Sequence, residues 1–532
     1  MVSQAPALPD ARLRLDALKS VLATRWPLLA VGAIFCVAFA IRAIDVTTDP
    51  LGFFADEAAA GVDAHAILTT GRDQFGHTLP FFFQSLGDYK LPVFIYSELP
   101  FVGLLGLNEL AVRLTVATLG SLTIVTTYLM AGELFSPRDA VTHTNIDRLR
   151  AAVPAFAAAV MLATMPWHIH YSRTGFGELV SLPLVFTLAT WLFLRAIRRE
   201  TSLIPAAIAF GVCFYTYRGG WVVLPPFLLV LLLVYERELG RSRRDALIAL
   251  AVFGVLLLPL ARHLLFGPAD RASTAWIFNV PGDQSTTSLF WQHYRSYFSL
   301  SFLFQHGDNS FILRHYLPGQ GELYWFQLPL ILLALGRMAW HWDKRYVLLL
   351  ALLVLYPLSG ALSDQSPISS RTILGSVTFA LLTGLGVATL VDLAAVSWPR
   401  ASRVATIGAL AIVAVVLSLS LGAYLQRYFD DYPALSAGYW GWQDGPQQII
   451  GDFLAVQDDY DELILDGQFN APEIFFPFYA GDQCVKCRVG GPELYIPNLH
   501  QLFALRAENP DLPNYSYIVL RTLRYPDGSP SF

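Results

Sequence analysis

Two adjacent carboxylates, Asp56 and Glu57, stand in the stretch GFFADEAAAGVDAHAILTTGRD, just beyond the first long apolar run of a chain that otherwise keeps charge out of such runs. Carboxylates placed there can take a proton from a hydroxyl or amine, hold an acceptor group, or bind a divalent cation. Four other stretches offer partners. PWHIHYSRTGFGEL supplies His168, His170, Tyr171, Arg173 and Glu178, and GDYKLP supplies Asp88, Tyr89 and Lys90. CFYTYRGGW brings Tyr215, Tyr217 and Arg218, and SPISSRTIL brings Arg371. A lysine or arginine at a membrane boundary suits a phosphate or diphosphate, which makes Lys90, Arg218 and Arg371 the candidate phosphate ligands. Asp56, Glu57 and Glu178 are the candidate acids and bases; Tyr89, His170, Arg173, Tyr215 and Tyr217 are candidate substrate contacts. Mg²⁺ or Mn²⁺ on Asp56 and Glu178 would be chemically reasonable, but no spacing demands a metal.

Each of these residues also has an ordinary structural use. A helix over about 57–69, stopped at Gly71, would use Asp56 as its N-cap and Glu57 as a first-turn partner of the helix dipole. Arg173 could anchor at lipid headgroups with Glu178 as its counter-ion, and Lys90 could snorkel. The tyrosines fit an aromatic belt equally well. His168 and His170, two residues apart, suit interfacial hydrogen bonding better than metal ligation.

The elements that must position these groups lie in a membrane. Of 532 residues 55% are hydrophobic and only 14% charged, against roughly 25% in soluble domains. Mean hydropathy is +0.48, so the chain reads as an α-helical polytopic membrane protein. The net charge of −5 is small and scattered and argues for no nucleic-acid partner. Arg12, Arg14, Lys19 and Arg25 precede the apolar stretch 27–44, which reads as an uncleaved first helix with residues 1–26 cytoplasmic. Basic clusters at 138–150, 195–199, 237–244, 337–345 and 400–403 mark further cytoplasmic loops. Pairs of apolar segments separate successive clusters, so each pair crosses out and back. Between 44 and Arg138 the number of crossings back must be odd, and 112–135 is a better span than the Pro- and Glu-interrupted 92–106. About eleven transmembrane helices result, in the cell membrane. A first outer loop (45–111), a turn at 168–178, a long outer loop (266–322) and a C-terminal extracytoplasmic domain (426–532) then share one side.

In that last domain, strand-like DELILDG and YSYIVLRT with helical PQQIIGDFLAVQ predict a small α/β unit. Cys484 and Cys487 suit a small disulfide loop or free thiols, and a redox or zinc role would need partners the sequence does not offer. The aromatic run at 438–442 could stack on a sugar or pack against the membrane surface.

With these residues assembled, DEAAAGVDAHAILTTGRDQFGHTLPFFF, GDYKLPVFIYSELPFVGLLGLNEL, HIHYSRTGFGEL, FGVCFYTYRGGW and SPISSRTILGSVTFALLTGLG resemble the polyprenyl-phosphate-dependent glycosyltransferases of the GT-C fold. Within that group the chain is most similar to the bacterial protein O-mannosyltransferase and aminoarabinose transferase superfamily. The likeness covers 27–425 discontinuously. It implies a GT-C transmembrane catalytic domain there and transfer, with inversion, of one sugar from a polyprenyl-phosphate carrier to an extracytoplasmic lipid, glycan or protein acceptor. It also implies Asp56 as the first-loop acid group, Glu178 as that of the second outer loop, and Lys90 on the donor phosphate. Two departures, Leu91 in place of the first of two prolines and Glu178 where aspartate is common, bear on the acceptor more than on the reaction. A lipid-linked sugar flippase or transporter, or a non-catalytic assembly scaffold, are the readings from other classes; neither internal repeats nor midplane charges favour a transporter.

Overall fold

A computed structural model describes residues 11–135, 145–267, 276–280, 285–308, 310, 312–438, 441–465, 470–490, 517–520, 523–524 and 530–531. The first helix, α1 (Ala11–Ala43), leads to α2 (Ala55–Thr70), a hairpin of β1 (Phe83–Ser85) and β2 (Asp88–Lys90), α3 (Pro92–Leu105) and α4 (Glu109–Phe135). Then come α5 (Asn145–Thr164), α6 (Pro166–Tyr171), α7 (Gly177–Arg199), α8 (Ile204–Cys213), α9 (Gly220–Val234), α10 (Glu236–Arg241) and α11 (Arg243–Phe266). The rest of the bundle is α12 (Thr286–Ser296), α13 (Gln327–Trp340), α14 (Lys344–Leu355), α15 (Leu358–Ala361), α16 (Leu374–Ser397) and α17 (Ser402–Asp430). The C-terminal part holds α18 (Tyr432–Ser436), α19 (Pro446–Val456), β3 (Glu462–Leu465), α20 (Phe475–Tyr479), β4 (Cys487–Val489) and β5 (Tyr517–Leu520).

Seven described helical stretches are long and apolar enough to cross a bilayer: the apolar part of α1, α4, α7, α11, α14 with α15, α16 and α17. The other four expected spans fall on α5, α8, α9 and α13. By length α3, α8, α9 and α13 are alike, at 14, 10, 15 and 14 residues. The non-crossing assignment of 92–106 therefore rests on the parity of the basic loops.

Contacts between those loops are consistent with that parity. Arg150 donates to Thr406 at the start of α17, Arg198 pairs with Glu133, and Lys344 pairs with Glu238. The clusters thus gather at one end of the bundle. Gly177 and Glu178 begin the same α7 that ends in Arg198 and Arg199. At 1.5 Å per residue its 23 residues put those ends about 34 Å apart, so the acidic turn and the basic loops occupy opposite ends.

The core is held partly by buried cations. Arg42, inside α1, is fully buried and donates to Ser172 Oγ (2.7 Å) and to the Ala38 and Ala163 carbonyls, with His168 Nδ1 2.9 Å away. In the C-terminal part β3 pairs in parallel with β4 and antiparallel with β5, giving the order β4-β3-β5, and α19 packs its apolar face on this small sheet. Both strand-like runs and the helical run of the sequence are recovered. Cys484 and Cys487 form a disulfide.

Candidate active site

Alanine-rich sequence with two acids in its first turn favours α2, and Gly71, at a φ of 70°, ends it. The N-cap is Phe54, not Asp56 as the sequence suggested. Glu57 supplies the capping contact: its Oε2 accepts from the Phe54 N–H at 2.8 Å. The same carboxylate accepts from Arg113 Nε (2.9 Å), Arg113 Nη2 (3.1 Å) and the Gly175 N–H (2.7 Å). Arg113, on α4, spends its remaining donors on the carbonyls of Val46, Pro50 and Gly52. Both side chains are almost completely buried. Glycine is required at 175, where a Cβ would lie 2.0 Å from Glu57 Cγ, and at 177, where it would meet the Phe94 ring at 1.8 Å.

One residue earlier, and so about 100° round the helix, Asp56 turns to a different neighbourhood. It is half-buried, with Oδ1 3.4 Å from Lys90 Nζ. Lys90 ends the β1–β2 hairpin, in which Ser85 pairs with Asp88 and the turn residues Leu86 and Gly87 both have positive φ. Arg218 holds that hairpin by pairing with Asp88 (2.9 Å) and donating to the Tyr89 carbonyl. Glu178 Oε1 accepts from the Leu91 N–H at 3.2 Å. Burial alone would lower the Lys90 pKa, but the carboxylates of Asp56, Glu178 and Asp88 outweigh it and raise it, so the ammonium form persists.

Two cavities meet at this pair. The first, about 230 Å³, is lined by Asp56, Lys90, Glu178, Tyr217, Arg314 and His315 over an apolar floor from α3 and α7. The second, about 330 Å³, lies between the hairpin and residues 470–473 and shares Asp56, Lys90 and Arg314 with the first. The sequence candidates Asp56, Lys90, Glu178 and Tyr217 are therefore brought together, with Arg218 behind the hairpin. Arg371 lies further back, paired with Asp364 (3.3 Å) and Ser363, though its charge still acts on the Tyr217 hydroxyl.

Other candidates are used elsewhere. Arg173 is buried rather than at the headgroups and, among the described residues, makes no pair with Glu178. It is fully buried, donates to the carbonyls of Ile41, Ile44 and Asp49, and lies under the Phe429 ring. It fixes the exit of α1 and lines neither cavity. His170 is buried with Nε2 2.8 Å from the Arg314 carbonyl, and burial drives its pKa down to about 4. Tyr215 donates to the Leu256 carbonyl, and Tyr89 packs on His263. Trp442 of the aromatic run is fully buried and bonds Tyr432; Tyr439 and Trp440 lie outside the described residues. Glu57, proposed as catalytic on sequence grounds, has both oxygens engaged in the clamp. As a metal pair, Asp56 and Glu178 are each already engaged, Asp56 by the Lys90 ammonium at 3.4 Å and Glu178 by the Leu91 N–H at 3.2 Å. No group of three or more metal-ligating residues occurs among the described residues.

Sequence reasoning passed over Arg314, His315, Ser85, Asn470 and Glu473. Arg314 lies over the Phe54 ring at 4.1 Å and faces both cavities. His315 Nδ1 is 3.9 Å from Asp308, whose carboxylate accepts from the Ser369 N–H at 3.0 Å. The Arg314–His315 pair inside the long outer loop was the one available signal.

This arrangement of an α-helical polytopic bundle with a long first loop, and an acid–lysine pair between two cavities, has the GT-C fold expected from the sequence. Among solved structures the chain is similar to ArnT from Cupriavidus metallidurans bound to undecaprenyl phosphate. The TM-score is 0.52 at 16% identity, over 92% of this chain and 89% of that one. It is also similar to the Archaeoglobus fulgidus oligosaccharyltransferase in its apo form, with a TM-score of 0.53 at 12% identity over 88% of this chain and 65% of the other. The oligosaccharyltransferase AglB from Archaeoglobus fulgidus, in complex with an inhibitory peptide and a dolichol-phosphate, gives 0.51 at 13% identity, over 87% and 64%. No family model and no curated protein matches the chain.

Proposed function

We propose that the protein is an integral-membrane inverting glycosyltransferase that moves a monosaccharide from a polyprenyl-phosphate carrier to an acceptor on the extracytoplasmic side of the cell membrane. The observation that carries this is the Asp56–Lys90 pair at the junction of two cavities, a base and a cation where two substrates would meet. Solved relatives of the fold bound to undecaprenyl phosphate and to dolichol-phosphate support the donor class.

In the reaction, the donor phosphate enters the first cavity and the Lys90 ammonium shifts toward it, with Arg314 and Arg218 adding positive potential. Asp56 takes the acceptor proton as the acceptor oxygen bonds to the anomeric carbon. The bond from that carbon to the phosphate oxygen breaks on the opposite face, and the electron pair leaves with the polyprenyl phosphate. One displacement inverts the centre and needs no protein nucleophile. Glu178 keeps Lys90 in register through the Leu91 amide.

The test is transfer of radiolabelled sugar from synthetic polyprenyl-phosphate sugar in purified membranes. Asp56→Asn is expected to lower the rate by about 10²–10⁴, the usual worth of a positioned base. Transfer at the wild-type rate in that variant would remove the assignment.

A further inference from the structure

The second cavity combines features that select among acceptors. Its wall carries three carboxylates, Asp56, Asp88 and Glu473, together with Asn470, Ser85 and the backbone of the Leu86–Gly87 turn. Its cations, Lys90 and Arg314, stand on the side shared with the first cavity. Asp88 is answered by Arg218 and Asp56 by Lys90, so what faces an incoming group is a set of donors and acceptors with little net charge. Ser85 is 2% exposed, and its Oγ has no hydrogen-bond partner among the described residues. A buried hydroxyl left unsatisfied at a cavity wall is costly unless something enters to meet it.

We infer that this cavity is the acceptor subsite and takes an uncharged, polyhydroxylated group, a sugar ring of a glycan or glycolipid. The inference rests on the transferase reading above and deepens it. Vicinal hydroxyls both donate and accept, which matches carboxylates, an amide and a serine hydroxyl set around one space. An acceptor that presents phosphate would find Arg218 and Lys90 already paired with Asp88 and Asp56, Arg314 shared with the first cavity, and the Glu473 carboxylate against it. At about 330 Å³ the space lies at the small end of the ~300–1,000 Å³ usual for small-molecule sites, room for one or two sugar rings. Asp56 lies on the same wall, so a hydroxyl of the bound ring reaches the base directly.

The experiment uses the full-length protein in membranes with synthetic polyprenyl-phosphate sugar as donor. The acceptor probes are p-nitrophenyl hexosides, the same hexosides carrying a 6-phosphate, and a serine- and threonine-rich peptide. Label is expected on the neutral hexosides in preference to the other two. Ser85→Ala and Glu473→Gln are each expected to raise the acceptor KM about tenfold, the worth of one hydrogen bond to a charged or buried group, while donor KM moves less than twofold. Preference for the phosphorylated hexosides or the peptide, or donor turnover with label on none of the three, would overturn the inference and leave the transferase reading standing. Equal changes in donor and acceptor KM in both variants would overturn it as well. A wild-type protein that never consumes donor would overturn the transferase reading and this inference together.

Discussion

Asp56 and Glu57 are chemical twins one peptide bond apart, and the molecule puts them to opposite uses. Glu57 is buried, and its two oxygens receive donors from Arg113, Gly175 and Phe54. Asp56 is partly exposed, has one ammonium at 3.4 Å and borders two cavities. A saturated carboxylate has no lone pair left for a substrate, whereas one with a single long ion pair can trade its partner. The first region fixes position and the second is free to react.

That contrast can be broken most sharply at the clamp. Glu57→Ala would strand the Arg113 guanidinium in the interior, and losing one member of a buried pair costs about 3–5 kcal/mol. Thermal unfolding in detergent, followed by fluorescence-detected gel filtration, should show a large fall in Tm or little folded protein. A variant with wild-type Tm and no transfer would reverse the roles given to the two acids. Asp56→Asn should behave in the opposite way, keeping its Tm while transfer collapses.

A smaller effect is expected at Lys90. Its ion pair with Asp56 is partly solvated, so Lys90→Gln should cost at most about 1 kcal/mol of stability. Donor affinity should fall about tenfold, read as a raised KM for the polyprenyl-phosphate sugar, since a hydrogen bond to a charged group is worth about 1.5–3 kcal/mol.

A last effect is a slope. Asp63, on the buried side of α2, accepts from the Gln74 N–H at 3.1 Å through one oxygen, and the other has no hydrogen-bond partner among the described residues. Burial raises its pKa to about 7. Because the folded form holds its proton more tightly than the unfolded chain, stability is greatest below the unfolded value of about 4 and declines as pH rises toward 7. Above that the contribution levels off. Tm measured across this window should slope downward, and Asp63→Asn should flatten it; an unchanged slope would show that other groups set it.

Much of the fold was legible because apolar length and basic loops are coarse signals. Each expected span fell on helical structure, seven of the stretches long and apolar enough to cross a bilayer, and Gly71 stopped α2 where its conformational freedom predicted. Within the site, legibility followed sequence proximity. Asp56, Lys90 and Glu178 sit in short stretches whose chemistry stands out, whereas Ser85, Asn470 and Glu473 are ordinary residues made significant by folding. Arg173 and His170 misled for the opposite reason: conspicuous polar groups next to an apolar run can equally well be interior fasteners. Spacing does not say which carbonyls a guanidinium will find. Nor did any local pattern predict that Phe54, with no polar side chain, would stand at the head of α2 while the third residue of the helix did the capping.

The Ala55 N–H at the start of α2 donates to Gln443 Oε1, across 388 positions of chain, and Gln443 in turn donates to the Asn470 carbonyl. A polypeptide halted after α17 would hold the seven long apolar helices among the described residues and still lack the residue that bonds the head of α2. During synthesis, then, the amide at the head of α2 gains this partner only once Gln443 has been made, 388 positions after it.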